Sequence, residues 1–100
     1  MQIVWSGEAK SDYSRNIEYL LEKWGLDAAR EFADNVANIL NQIVMMPGMF
    51  PTSGYKKVRK VIACRQISIL YKVEEQRIVL LRFWDNRQDP GKFKVSPENG

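Results

Sequence analysis

The spacing of apolar residues changes once along this chain, and that change limits which elements each part can form. Before residue 47, apolar residues recur every three or four positions, as they do on one face of an α-helix. After residue 57 they alternate or run together in short β-prone segments, which is typical of strands. Residues 47–57 are rich in glycine, proline and lysine and are predicted to form a loop. The sequence therefore predicts helices first and a sheet afterwards.

The first half predicts a short strand at residues 2–5 and then two helices. Ser6 is a suitable N-cap for the first helix, and Gly25 is the kind of residue that ends one. Asp27 is predicted to cap the second helix, which Pro47 and Gly48 end. The short link between the helices predicts an antiparallel hairpin. Four aromatic side chains on these elements are expected to pack in the core: Trp5, Tyr13, Tyr19 and Trp24.

The second half predicts three strands, at residues 58–63, 65–73 and 77–84, with a tight connection at residues 74–76. Alternating apolar residues from Ile67 to Val73 predict one buried face, so that Ser68 and Lys72 point away from it. Residues 78–81 are apolar on both faces, which favours a central strand. The order β-α-α-β-β-β predicts an α+β fold, with a helical hairpin on one sheet face and the other face open.

Composition excludes several classes of protein. With 100 residues, the chain is sized for one domain. It has no histidine and a single cysteine, Cys64, which excludes a disulfide framework, the usual zinc sites and histidine-dependent triads. No apolar run approaches the ~20 residues of a membrane span, and the N-terminus does not resemble a signal peptide. We therefore expect a cytoplasmic protein with no membrane partner, no metal and no cofactor.

Charge is divided unevenly between the halves of the chain. Residues 1–50 carry 4 basic and 7 acidic side chains, net −3, whereas residues 51–100 carry 11 and 5, net +6. A one-sided basic surface attracts polyanions such as nucleic acid, or an acidic protein. The alternative is that lysines on strand edges discourage aggregation. The cations form a cluster at Lys56, Lys57, Arg59, Lys60 and Arg65, to which Arg77, Arg82 and Arg87 add from the last strand and beyond.

A second candidate site is the end of the last strand, residues 82–90. The predicted strand ends with Arg82 and Trp84, and Arg87 follows shortly after it. Polar groups beside aromatic residues at strand ends commonly bind ligands. The alternative is an ordinary strand end at which Trp84 closes the core.

Several short motifs, taken in order, resemble a known family. Among them are Ile3-Val4-Trp5-Ser6 with Asp12, Trp24-Gly25, Val58-Arg59-Lys60-Val61, Leu70-Tyr71-Lys72-Val73, Leu80-Leu81-Arg82 and Arg87-Gln88-Asp89-Pro90. Over about residues 2–93 the chain resembles the RelE/ParE superfamily, the toxins of bacterial type II toxin–antitoxin systems, also called plasmid-stabilisation proteins. The resemblance implies one toxin domain at residues 1–93, with an antiparallel sheet of about four strands and the hairpin on one face. Residues 94–100 are then expected to be a flexible tail.

The resemblance implies two alternative targets. RelE-like members cleave mRNA on the ribosome, and ParE-like members inhibit DNA gyrase. If the chain is a nuclease, the resemblance implies that Arg59, Arg65 and Arg82 hold the phosphate, and Lys56 and Lys57 are the candidates for the general base. The chain has no histidine, and no tyrosine follows Tyr71, so the usual proton-transfer residues are missing and the ParE-like function is favoured. The target-binding candidates are then Lys57, Arg59, Arg65, Arg82, Trp84 and Arg87.

The family also implies a cognate antitoxin as partner. Its binding segment is expected on the exposed side of the helical hairpin and on the open sheet face, and an acidic segment would suit the basic half of the chain. A third possibility is a non-toxic family member that only binds an antitoxin.

Overall fold

The computed structural model describes residues 1–64 and 66–87. It contains β1 (Gln2–Trp5), α1 (Gly7–Lys23), α2 (Leu26–Met45), β2 (Arg59–Cys64), β3 (Ile67–Glu74) and β4 (Arg77–Asp85). This order confirms the β-α-α-β-β-β prediction and the α+β class. The end of the expected domain and the tail expected at residues 94–100 lie outside the described residues.

The sheet has the order β1-β4-β3-β2, so β4 is central, as its apolar character on both faces predicts. β4 pairs antiparallel with β3, and β3 pairs antiparallel with β2. β1 pairs parallel with β4, from Gln2 beside Arg77 to Trp5 beside Leu80. The sheet is therefore mixed, and the expectation of an antiparallel sheet was wrong for β1. The chain leaves β1 into the helices and returns only in β2, so β1 is not tied to its neighbour by a hairpin.

Residue Gly25 sets the geometry of the helical hairpin. Its φ of +94° lies in the left-handed region, and it lets the chain reverse within one residue. α2 therefore begins at Leu26 with Gly25 as its N-cap, so the prediction of Asp27 as the cap was wrong. The N-cap of α1 is Ser6, as predicted, and its hydroxyl oxygen accepts a hydrogen bond from Ala9 N at 3.0 Å.

The main core lies between the hairpin and the sheet. Ala9, Phe32 and Val36 from the helices are buried against Ile69 and Leu80 of the sheet. Trp5 and Tyr13 pack beside it, with ring centroids 5.3 Å apart. The other two aromatics were predicted wrongly, because Tyr19 is 44% exposed and Trp24 is 71% exposed.

The second sheet face is not fully open. Leu70 and Leu81 form a second buried cluster there, and residues of the preceding loop, Tyr55 and Val58, pack on it together with Val79 and Trp84. Ser68 is fully buried, so its predicted exposure was wrong. Its hydroxyl donates to Asn86 Oδ1 at 2.8 Å, which satisfies the buried polar group. Among the described residues, neither helix is long and apolar enough to cross a membrane.

Candidate functional site

A groove between α1 and the end of β4 contains three of the predicted site residues. Its volume is about 260 Å³, and we call it the α1–β4 groove. Its wall residues include three arginines and three large aromatics: Arg15, Arg82, Arg87, Tyr19, Trp24 and Trp84. The structure thus brings Arg82, Trp84 and Arg87 together, as their positions near one strand end predict.

The carboxylate of Asp12 binds Arg82 in this groove. Asp12 is a buried residue of α1, and its Oδ2 accepts from Arg82 Nε at 2.7 Å and from the Phe83 backbone N at 3.0 Å. Its Oδ1 accepts from an Arg82 terminal nitrogen at 3.1 Å and from one of Arg15 at 2.6 Å. Hydrogen bonding to Asp12 raises the pKa of Arg82 further above its already high value. Arg82 Nε and one terminal nitrogen are therefore already occupied by hydrogen bonds to a carboxylate of the protein itself.

The same carboxylate completes the edge of the sheet. β1 ends at Trp5 beside Leu80, so β4 continues beyond it without a neighbouring strand on that side. The Ser6 backbone N donates to Leu80 O, the Ser6 hydroxyl donates to Leu81 O, and Phe83 N donates to Asp12. Backbone groups at a sheet edge need such partners when they are buried. The start of α1 therefore takes the place of a longer β1.

Arg87 is held differently, and its guanidinium faces solvent. Its backbone N and Nε donate to Asp85 Oδ1 at 2.9 and 3.0 Å, and a terminal nitrogen donates to Oδ2 at 2.8 Å. The Arg87 hydrogen bonds hold the pKa of Asp85 below its usual value. The Arg87 side chain remains 61% exposed. Asp85 thus orients a cation that stays accessible at the groove rim.

Trp84 does not offer its ring to solvent in the same way. It is 7% exposed and belongs to the second buried cluster, and the Arg82 guanidinium carbon lies 5.3 Å from its ring centroid. Packing is therefore the observed role of Trp84 in this structure.

Arg59 lies two strands away, against the loop that follows α2. One terminal nitrogen donates to Phe50 O at 2.6 Å and to Gly48 O at 3.4 Å. Its sheet neighbour Tyr71 donates its hydroxyl to Pro47 O at 2.8 Å. Burial raises the pKa of Tyr71, an effect that the nearby Arg59 charge partly offsets. The two side chains together fasten residues 47–50 to the sheet.

The remaining predicted cations are lysines of the turn before β2. Lys56 and Lys57 are exposed, and Lys56 has a positive φ of 48°. The Lys56 ammonium lies 5.5 Å from the Tyr55 ring centroid, and Lys60 is exposed on β2. Arg65 lies outside the described residues. Arg77, at the opposite end of β4, pairs with Glu74, so the predicted cations that the structure describes occupy four separate places rather than one surface.

Asp12 and Tyr71 are the residues whose roles sequence reasoning missed. Asp12 follows Ala9 by three positions and precedes Tyr13, so it lies at the margin of the apolar stripe of α1. A carboxylate at that position is the available signal, because a buried carboxylate requires strong donors. The sequence did not indicate which donors these would be.

Comparison with known proteins identifies relatives of this chain. The family described as "ParE toxin of type II toxin-antitoxin system, parDE" matches residues 3–90. Among curated protein sequences, none matches the chain.

Solved structures share the fold. A chain of the chromosomal ParDE system from P. aeruginosa superposes with a TM-score of 0.72 at 19% identity, covering 85% of this chain and 95% of that one. A YoeB/ParE toxin from Agrobacterium tumefaciens gives 0.63 at 11% identity and covers 85% and 98%. A YoeB dimer structure from Staphylococcus aureus gives 0.61 at 13% identity and covers 84% and 94%.

Proposed function

The chain belongs to the ParE toxin family of type II toxin–antitoxin systems, and from this premise we propose that it is a cytoplasmic toxin that inhibits DNA gyrase and is neutralised by a cognate antitoxin. The observation that carries the choice of target is the pairing of Arg82 with Asp12. An RNA-cleaving site needs positive charge directed at the scissile phosphate. Arg82 is directed at a carboxylate, and Arg59 is directed at backbone carbonyls.

Arg87 is the target-binding residue that this proposal favours. Its guanidinium is exposed, and Asp85 fixes its direction, so little side-chain freedom is lost when a partner binds. Arg77 offers a matched control at the opposite end of β4. It is 54% exposed and pairs with Glu74 at 2.9 Å.

A supercoiling assay with purified gyrase tests the target. We expect the toxin to inhibit supercoiling of relaxed plasmid, and the antitoxin encoded beside it to restore the reaction. Arg87→Ala should weaken inhibition by about tenfold or more, the loss expected for one charged interface contact, whereas Arg77→Ala should not. Unaffected gyrase, together with cleavage of translated mRNA in primer extension, would make the protein an mRNA interferase instead. Harmless expression without antitoxin would make it a non-toxic family member.

We propose that the tip of the helical hairpin contributes to antitoxin binding. Leu21, Trp24 and Leu26 are 45%, 71% and 56% exposed, and Trp24 also lines the α1–β4 groove. Tryptophan and arginine are the residues that most often contribute large binding energies at protein interfaces, and Arg15 and Arg87 line the same groove as Trp24. Trp24→Ala should therefore weaken the antitoxin complex in calorimetry. Met45 is an apolar residue at the far end of α2 and is 81% exposed, and Met45→Ala should change the complex little. Equal losses for the two variants would argue against this location.

A further inference from the structure

The arginines of the sheet and of the α1–β4 groove differ from the lysines near the start of β2 in the partners that they bind. Four guanidiniums pair with carboxylates of the same chain: those of Arg15, Arg77, Arg82 and Arg87. The guanidinium of Arg59 binds backbone carbonyl oxygens. In contrast, Lys56, Lys57 and Lys60 make no ion pair with any described residue. All three are exposed within five consecutive positions. Lys10, Lys23 and Arg30 also make no ion pair with a described residue, but they lie apart on the helices, so among the described residues unpaired positive charge is densest at the turn before β2 and the start of that strand.

This lysine turn, residues 55–60, is anchored to the body of the protein. Tyr55 and Val58 pack into the second buried cluster. The backbone is held by hydrogen bonds from Ser53 N to Val58 O, from Val58 N to Tyr55 O and from Lys60 N to Pro51 O. The lysines consequently project from a defined turn, and the chain between residues 51 and 73 contains no acidic residue that could compensate them.

We propose that the lysine turn binds the phosphate backbone of duplex DNA, an activity separate from gyrase binding. Ammonium groups act as hydrated point charges without the planar geometry of guanidinium, which suits phosphate contacts that do not depend on sequence. Lysine is depleted at protein–protein interfaces, where arginine and aromatic anchors are preferred. The composition of the turn thus favours a polyphosphate over an acidic protein.

The aromatic residues at this surface favour a duplex over a single strand. Single-stranded nucleic acid is commonly bound by exposed rings on which its bases stack. Here the Tyr55 ring is half-buried with the Lys56 ammonium over it, and Trp84 of the same cluster is 7% exposed. Neither ring offers an open stacking platform. A duplex requires only the cations, because its phosphates lie on the outside.

The dependence of duplex affinity on salt concentration sets the size of the expected effect. Three lysine–phosphate contacts predict a slope of log K against log salt of about −2.7, so binding should weaken by about 40-fold between about 50 and 200 mM salt. The measurement is fluorescence anisotropy of a labelled duplex of about 20 base pairs without gyrase, because sequence-independent phosphate contacts require only the duplex.

The matched variants have equal net charge. K56Q/K57Q/K60Q lowers the formal charge from +3 to 0, and so does K10Q/K23Q/R30Q, which removes exposed cations of the helices. The first variant should lose most of the salt slope, and the second should keep it. The double variant K57Q/K60Q leaves Lys56, the position with positive φ, unchanged. It should lose about two units of the slope of log K against log salt. If circular dichroism shows that the triple variant is misfolded, the double variant still decides the test.

Four results would overturn the proposal: a duplex affinity independent of salt, equal losses in the two triple variants, tighter binding to a single strand of the same length, or equal binding to polyglutamate. The first two would remove the lysine turn as the site, and the last two would assign it to single strands or to acidic proteins. Since gyrase is absent from this assay, none of these results affects the supercoiling test.

Discussion

Replacing Asp12 by asparagine tests whether the bond between α1 and β4 is a main support of the fold. The substitution keeps the shape of the side chain but removes its charge. The side-chain amide would direct N–H groups at donors, because Asp12 accepts from Arg82, Arg15 and the Phe83 backbone. The Arg82 side chain is only 23% exposed, so its charge would stay partly desolvated, with only the more distant Glu8 carboxylate, 3.8 Å away, as a counter-ion.

The expected loss of stability is large. Removing one partner of a buried ion pair costs about 3–5 kcal/mol, because the other charge remains buried. For a domain of this size, 3 kcal/mol corresponds to a fall in Tm of roughly 12–24 °C. Arg15→Gln removes an ion pair with the same carboxylate, but the Arg15 side chain is 67% exposed, and such pairs contribute about 0–1 kcal/mol.

Urea unfolding followed by circular dichroism measures both losses, provided that the slope against urea stays constant. Arg82→Met and the double variant Asp12→Asn/Arg82→Met complete a cycle. In the double variant the guanidinium that lost Asp12 is gone, so the loss of stability in the double variant should be smaller than the sum of the two single losses by about 0.5–3 kcal/mol. A loss for Asp12→Asn no larger than that for Arg15→Gln, or additive losses in the cycle, would refute the structural role of the pair.

Three further substitutions probe other contacts. Ser6→Ala should cost about 1–2 kcal/mol in thermal unfolding, because Ser6 caps α1 and also binds Leu81 O, whereas exposed Ser14→Ala should cost almost nothing. Burial raises the pKa of Tyr71 above its usual 10.0, so the tyrosine ionises at lower pH in the unfolded chain than in the folded one. The contribution of Tyr71 to stability should therefore be fully present below pH 10.0 and be lost as the pH rises through the higher folded value. Tyr71→Phe should reduce that alkaline loss in urea titrations, and an unchanged loss would contradict the assignment. Arg87 lowers the pKa of Asp85 below its usual 3.8, so their contribution should be present above pH 3.8 and vanish as the pH falls through the lower folded value. Arg87→Gln should remove this acid-side change, and a profile identical to that of the wild type would disprove the coupling.

The element order was predictable because each element carries its own local signal. Ser6, Gly25 and the apolar stripe define α1 without reference to distant residues, and the residues of β4 that are apolar on both faces predict its central place. The parallel pairing of β1 had no such local signal. Strand partners and directions depend on contacts across the whole chain, and a four-residue strand supplies little sequence information about them.

Trp24 shows how a correct periodicity can still give a wrong location. It continues the spacing of Ala9, Tyr13, Ile17 and Leu20, which predicts that it faces the core. The helix ends at Lys23, and Trp24 has φ −127° and ψ −11°, outside helical geometry. Its side chain therefore leaves the stripe and is exposed. Predictions of burial fail in this way at helix ends, because the spacing of about 3.6 residues per turn relates side-chain directions only while the backbone stays helical.

Arg82 shows why the candidate site could be predicted only in part. Leu70 pairs with Arg82 and Tyr71 pairs with Leu80, so Leu81 is an extra residue in β4. Without this bulge, Arg82 would follow Leu80 onto the helix-facing side, and Phe83 would face the other way. The bulge returns Phe83 to the main core and leaves Arg82 at the strand edge, from which it reaches Asp12, seventy positions earlier in the chain. The position of Arg82 near a strand end indicated a candidate site, but neither the bulge nor the contact with Asp12 could be predicted from local alternation.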